Sequence, residues 1–178
     1  MIVIPQHSNK QKGLYFPLCG KQLEFRFSFD ESFDYVGKNQ SDLHKIGGIG
    51  IFSIPHSFKV GKNKKWWELH KWFSLRIGAR RNYAKNCIEL TDYSYFQGVG
   101  ERNTDDNQIL DAQKGEIVYG KVSIEKNGMR LVLVNETSLK NINVFIKMDL
   151  PTFYLPLRLR AYMENVHRTK DVIIHTHK

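Results

Sequence analysis

The sequence predicts an all-β protein, an antiparallel two-sheet sandwich of jelly-roll-like form with one short helix or loop insertion. Three observations predict it. Apolar residues recur at every second position in segment after segment, the period of a strand with one buried face. The joints between these segments are polar or carry glycine. Only one segment shows a helical stripe. The 178 residues suit one domain of ordinary size. With 41% hydrophobic and 25% charged residues the composition is that of a folded globular chain. No apolar run approaches the ~20 residues of a membrane-spanning helix, so no membrane partner is expected. Residues 1–178 are read as a single β-sandwich domain with an aromatic, basic insertion near 50–73.

The elements follow in chain order. Leu23, Phe25, Phe27 and Phe29 fall on one face of a strand, and Glu24, Arg26, Ser28 and Asp30 on the other. Gly47-Gly48-Ile49-Gly50 is glycine-rich but lacks the Lys-Ser/Thr of a phosphate loop, so a bend or bulge in a strand is expected there. Lys62 to Phe73 breaks the two-residue period. Trp66, Leu69, His70 and Phe73 are spaced i, i+3, i+4, i+7 and suit one face of a short helix docked on a sheet. Leu75, Ile77 and Ala79 then alternate with Arg76, Gly78 and Arg80. Asn103 to Gln108 reads as a polar surface loop. Val118, Val122 and Ile124 lead into Asn127-Gly128, and Met129, Leu131 and Leu133 follow. That pair predicts a hairpin whose two turn residues adopt positive φ. Ile142, Val144, Ile146 and Met148 form a further strand, as do Leu157, Leu159 and Ala161, and Val172 and Ile174 close the chain.

The charge is concentrated. The formal net charge is +9, and an excess of that sign invites an anionic partner. Between Lys59 and Lys85 stand nine basic residues and one acidic residue, Glu68, so this window holds +8 of the total. It also holds Trp66, Trp67, Trp72, Phe73 and Tyr83. Cations neutralise phosphate and flat rings stack on bases. A solvated lysine-rich loop pinned by its tryptophans would have the same composition. Arg76 and Arg80 project from one side of a strand, where a guanidinium fork can grip phosphate or carboxylate.

The sequence has no G-x-S-x-G elbow, Walker loop or H-E-x-x-H helix, and no cofactor is expected. Cys19 and Cys87 are read as buried free thiols, too few for a disulfide-built secreted domain. Met1 to His7 lacks the form of a signal peptide, so the cytoplasm is the expected compartment. His175 and His177 lie on one side of a strand, a spacing able to hold a divalent metal with a third ligand. Their position near the chain end points instead to a polar tail, and no metal site is assigned. His44, His56 and His70 flank the basic region.

The run Ser74-Leu75-Arg76-Ile77-Gly78-Ala79-Arg80, preceded by His70, resembles a motif of small β-sandwich proteins from bacteria and their phages. Leu43-His44-Lys45-Ile46-Gly47-Gly48, Gly115-Glu116-Ile117-Val118-Tyr119 and Leu157-Arg158-Leu159-Arg160-Ala161-Tyr162 resemble further segments of that group. The pattern departs from it at Lys71 and Ala79, at Met163-Glu164 in place of a Gly-Gly turn, and in about twenty inserted residues, Gly50 to Leu69. The resemblance implies a β-sandwich and a phage origin, and it carries no activity.

These readings converge on a non-enzymatic binding protein for an anionic ligand, a nucleotide or another phosphate-bearing small molecule. A phage protein sequestering a host defence signal is the concrete form of that expectation. The candidate ligand-binding residues are His56, Trp66, Trp67, His70, Arg76, Arg80, Arg81, Tyr93 and Tyr95. The alternative enzyme is a jelly-roll lyase of an acidic polysaccharide, with Arg76 or Arg80 neutralising a uronate and a His or Tyr moving the proton. The alternative interaction module uses Trp66, Trp67 and Trp72 as anchors for a protein partner. An uncovered edge strand can also pair two copies into a homo-oligomer.

Overall fold

The computed structural model describes residues 1–4, 16–34, 43–53, 73–96, 99–102, 108–162 and 171–177. Two antiparallel sheets face each other, as the alternation predicts. The first has six strands in the order β1 (Ile2–Ile4), β13 (Val172–His177), β3 (Gln22–Phe29), β9 (Val118–Glu125), β10 (Gly128–Asn135) and β11 (Asn141–Lys147). The second has seven. Its path runs β2 (Phe16–Pro17), β12 (Leu155–Leu159), β4 (His44–Phe52), β5 (Phe73–Asn82), β6 (Cys87–Phe96) and β7 (Val99–Arg102), and β8 (Leu110–Ala112) also pairs with β6. Among the described residues the helical element is one 3-10 turn, Glu31–Phe33, which the Asp30 carboxylate caps by accepting from the Ser32 N–H at 2.8 Å. The helix expected over 62–73 lies outside the described residues except for Phe73, which opens β5.

The core lies between the sheets. Leu75, Ile77 and Ala79 of β5 and Val122, Leu131 and Leu133 of the facing sheet are fully buried. Phe27, Phe29 and Phe33 form a run of rings whose neighbouring centroids are 5.5 and 4.5 Å apart. Phe33 meets the edge of the His44 ring at 5.6 Å and so bridges the two sheets. Gly120 of β9 makes room for this contact layer: a Cβ there would stand 2.9 Å from the Ile77 Cδ1. Ile77 therefore points at the six-stranded sheet, which fixes the phase of β5.

The β9–β10 hairpin is present, but its turn falls one residue earlier than expected. Gly128 pairs with Glu125 as the first residue of β10, so Lys126 and Asn127 make the turn. Neither of them has positive φ. Glycine is needed at 128 because a Cβ there would lie 2.1 Å from the carbonyl oxygen of Ile146 on β11. No helix among the described residues is long and apolar enough to cross a membrane.

Candidate functional site on the outward face of the seven-stranded sheet

With Leu75, Ile77 and Ala79 pointing inward, Ser74, Arg76, Gly78 and Arg80 point outward. Cross-strand register carries this face onto β6, where Arg76 lies opposite Tyr93, Ser74 opposite Tyr95, Gly78 opposite Thr91 and Arg80 opposite Glu89.

On β4 the register shifts. Lys45 pairs with Gly78, yet Gly47 pairs with Ile77, so Ile46 is the extra residue of a β-bulge. In a regular strand Lys45 and Gly47, two residues apart, would share a face. With the bulge, Lys45 turns outward while Gly47 faces the core, where a Cβ would stand 3.8 Å from the Phe25 ring. The bend or bulge expected from the glycine run is thus located, and it re-aims a cation. Beyond it, Gly48 lies opposite Arg76 and Gly50 opposite Ser74, two positions without side chains.

The resulting cluster has defined geometry. The Lys45 Nζ sits 4.3 Å from the centroid of Tyr93 and 5.5 Å from that of Tyr162, within cation–π range. Lys45 and Tyr162 exchange both backbone hydrogen bonds at 2.7 Å. Tyr93 donates its hydroxyl hydrogen to the Tyr95 hydroxyl at 3.3 Å, with their rings edge to face at 5.3 Å. Gly100 of β7 permits this arrangement, since a Cβ there would stand 2.9 Å from the Tyr93 hydroxyl and the Tyr95 ring. Lys45 and Arg76 are only 5% and 4% exposed although they face away from the other sheet. Tyr93, Tyr95 and Tyr162 are half-buried and connect the cluster with solvent.

Of the residues singled out from sequence, Arg76, Tyr93 and Tyr95 come together. Arg80 shares their face but is engaged at its end. Its Nε donates to Glu89 at 2.6 Å, and Glu89 also accepts from Asn82 at 2.6 Å and pairs with Lys85 at 3.1 Å. Burial pushes the Glu89 carboxyl up. Hydrogen bonds from Asn82, Arg80 and Lys85 outweigh that push and hold it below the ordinary carboxylate range. Arg81 points to the opposite side and meets Asp34 at 2.7 Å. His56, Trp66, Trp67 and His70, with Trp72, lie outside the described residues. Lys45 and Tyr162 were missed as site residues. The signal for Lys45 was the Gly47-Gly48 pair: a bulge there reverses the phase of everything before it.

Two further expectations change. Cys87 is buried, and burial, followed by the nearby Asp111 carboxylate, pushes its thiol up to about 11; Cys19 is exposed rather than buried. His175 and His177 belong to β13 rather than a loose tail. His175 meets the Asp30 carboxylate at 2.9 Å, and His177 shares a hydrogen bond with the Ser28 hydroxyl at 2.9 Å. Among the described residues no group of three or more His, Cys, Asp or Glu is placed to hold a metal.

The fold is that of a jelly-roll-like β-sandwich. It is similar to the alginate lyase from Klebsiella pneumoniae, with a TM-score of 0.51 and 13% identity over 88% of this chain. The chain spans 57% of that enzyme's length. A functionally unknown protein from Saccharomyces cerevisiae aligns over 93% of this chain and 74% of its own, with a TM-score of 0.38 and 12% identity. No protein-family model matches the chain, and no curated protein matches it. The class defined here is therefore architectural: a two-sheet β-sandwich with a cation–tyrosine cluster on one outward face.

Proposed function

We propose that the protein is a non-enzymatic binder of an anionic small molecule, a nucleotide or other phosphate-bearing compound, held on the outward face of the seven-stranded sheet. One observation carries this reading: Lys45 and Arg76 share that face, with the Lys45 ammonium over the Tyr93 ring. A guanidinium and an ammonium bind phosphate oxygens by charge-assisted hydrogen bonds. Tyr93, with Lys45 over its ring, and the half-buried Tyr95 add aromatic surface beside the cations. The low exposure of both cations strengthens their field, because little water screens it. Sequestration of a host signalling nucleotide is the specific form this takes if the phage resemblance holds. Titration calorimetry with mononucleotides, dinucleotides and cyclic dinucleotides tests the reading. Binding of at least one is expected, weakened ten-fold or more in Arg76→Ala. Absence of heat with all of them overturns it.

A second reading is favoured by the Tyr93–Tyr95 hydroxyl pair with the Lys45 ammonium over the Tyr93 ring and Arg76 opposite Tyr93 in register, on a scaffold like that of an alginate lyase. In a lyase of acidic polysaccharide, Arg76 or Lys45 would neutralise the uronate carboxylate. A tyrosine oxygen would take the proton from the adjacent ring carbon. The C–H electrons would form a ring double bond as the glycosidic C–O bond breaks, and the leaving oxygen would take a proton. The unsaturated product absorbs in the ultraviolet. Turnover on a uronate polymer that disappears in Tyr95→Phe supports it, and no turnover on any such polymer removes it.

A further inference from the structure

We propose that the protein forms a symmetric dimer in which two copies of β11 (Asn141–Lys147) pair antiparallel about Val144, joining their six-stranded sheets into one. The interface belongs to the sheet opposite the ligand face and does not depend on the binding reading.

The strand edges of the sandwich differ in how they are guarded. Short length, proline and charge suppress pairing with another chain. β1 has three residues, β2 has two including Pro17, β8 has three, and β7 has four with Glu101 and Arg102 among them. β11 has seven residues, no proline and no break in its register with β10. Its one charged residue, Lys147, stands at its end. Among the described residues no strand pairs with its outer side. Asn141, Asn143, Phe145 and Lys147 are exposed.

Hydrogen bonds at both ends of the β10–β11 hairpin fix which backbone groups face outward. The Asn135 N–H donates to the Lys140 carbonyl at 2.9 Å, and the Met148 N–H donates to the Asn127 carbonyl at 3.0 Å. In steps of two between these pairs, Ile142, Val144 and Ile146 direct their N–H and C=O to β10. Asn141, Asn143, Phe145 and Lys147 direct theirs away from it. A second β11 meets these four residues by setting Asn141 opposite the partner's Lys147 and Asn143 opposite the partner's Phe145. Each N–H and C=O on the outer edge is then matched, with Val144 on the two-fold axis. The same register keeps the faces in phase. Ile142, opposite the partner's Ile146, stays on the core side. The two Phe145 rings lie on the outer side as diagonal neighbours, within reach of each other. Arg130 already holds this outer row: its guanidinium lies 5.0 Å from the Phe145 ring and donates to Asn143 at 2.8 Å. Side chains ordered beforehand lower the cost of association. The two Lys147 positions fall about 20 Å apart along the strands, so their charges stay separate. The symmetry consumes both β11 edges, and assembly closes at two copies.

Sedimentation velocity on the full chain tests the dimer. One strand pair makes a small interface, so a Kd of about 1–100 μM is expected. The mass should rise across that range from 20.8 kDa to twice that value. Phe145→Lys, which places like charges at the diagonal positions, should weaken association about ten-fold or more. Asn143→Pro removes an outward N–H, leaves the β10 ladder intact, and should weaken it likewise. Far-ultraviolet circular dichroism checks that both variants are folded, and the exposed position of Phe145 keeps the test open should Asn143→Pro unfold. Register is read by oxidation in a Cys19→Ser background carrying Asn141→Cys and Lys147→Cys together. These positions should link two copies into a covalent dimer on a non-reducing gel, and either substitution alone should not. A chain that stays monomeric throughout the range overturns the dimer. A dimer that tolerates both Phe145→Lys and Asn143→Pro overturns its assignment to β11. Equal cross-linking by the single-cysteine variants overturns the register about Val144.

Discussion

The two outward faces of this sandwich are built from the same alternation and use their charges in opposite ways. On the six-stranded sheet cations meet carboxylates at the surface. Arg26 pairs with Glu136, Lys121 with Glu24 at 3.2 Å, and Arg130 with Glu125 at 2.5 Å. On the seven-stranded sheet Lys45 is set over aromatic rings and lies, with Arg76, almost out of solvent. The first face is a solvated polar coat whose pairs are screened. The second holds charged side chains, Lys45, Arg76 and Glu89, where water screens them little. Position in the sheet, and not the number of basic residues, separates charges that meet solvent from charges held almost out of it.

The comparison breaks first at Glu89, where the seven-stranded face does contain a carboxylate. Glu89 is buried and ties Arg80, Asn82 and Lys85 to one turn. Removing one member of a buried pair is strongly destabilising. Because Arg80 and Lys85 retain solvent contact, the expected loss for Glu89→Ala is reduced to about 2–3 kcal/mol, read from urea unfolding. A loss below that of the exposed Glu24→Ala would place Glu89 with the solvated coat instead.

Next in size is Arg76 against Arg26. Arg76→Ala removes a buried side chain and is expected to cost about 1–3 kcal/mol, together with ligand affinity. Arg26→Ala removes one half of an exposed pair and should leave the urea midpoint essentially where it was. Equal shifts in the two midpoints would erase the distinction between the faces.

Acid sharpens the same contrast. The Glu89 carboxyl is held below its ordinary value of 4.5. Its stabilising contribution is therefore complete above about 4.5 and is lost as pH falls through the lower value it has in the folded protein. Asp30 behaves alike: burial raises it, and hydrogen bonds from Ser32 and His175 more than compensate. Stability measured at pH 7 and at about pH 3.5 should fall less in Glu89→Gln than in the wild type. An unchanged acid slope in that variant would show that other carboxylates carry it.

The alternation was legible wherever a strand runs without interruption. Leu75, Ile77 and Ala79 predicted the inward phase of β5, and with it the outward placement of Arg76 beside Tyr93 and Tyr95. Lys45 was not read, because its face depends on one extra residue at Ile46; the two-residue period does not show a skipped step, and the Gly47-Gly48 pair marked a bulge without fixing its position. Tyr162 joins through an isolated bridge to Lys45, 117 positions earlier. The basic window Lys59 to Lys85 is a local feature of sequence, whereas the cluster is assembled across strands. It therefore captured Arg76 and missed its partner cation. It also included Arg80 and Arg81, whose carboxylates, Glu89 and Asp34, are supplied by tertiary pairing.

The smallest expected effect concerns salt. On the six-stranded face the Arg26–Glu136 pair raises the arginine and lowers the glutamate, chiefly through their mutual hydrogen bonds and charge. Both side chains remain in solvent contact, so added salt competes directly with them. At about 1 M salt the screening length is about 3 Å, and the coupling read from the cycle Arg26→Ala, Glu136→Ala and the double variant should vanish. The corresponding cycle on Arg80 and Glu89 should persist at the same salt, because the Glu89 carboxylate is shielded from the ions. If both couplings fade together, burial on the seven-stranded face does not protect its charges, and the electrostatic argument for a ligand site there loses its physical basis.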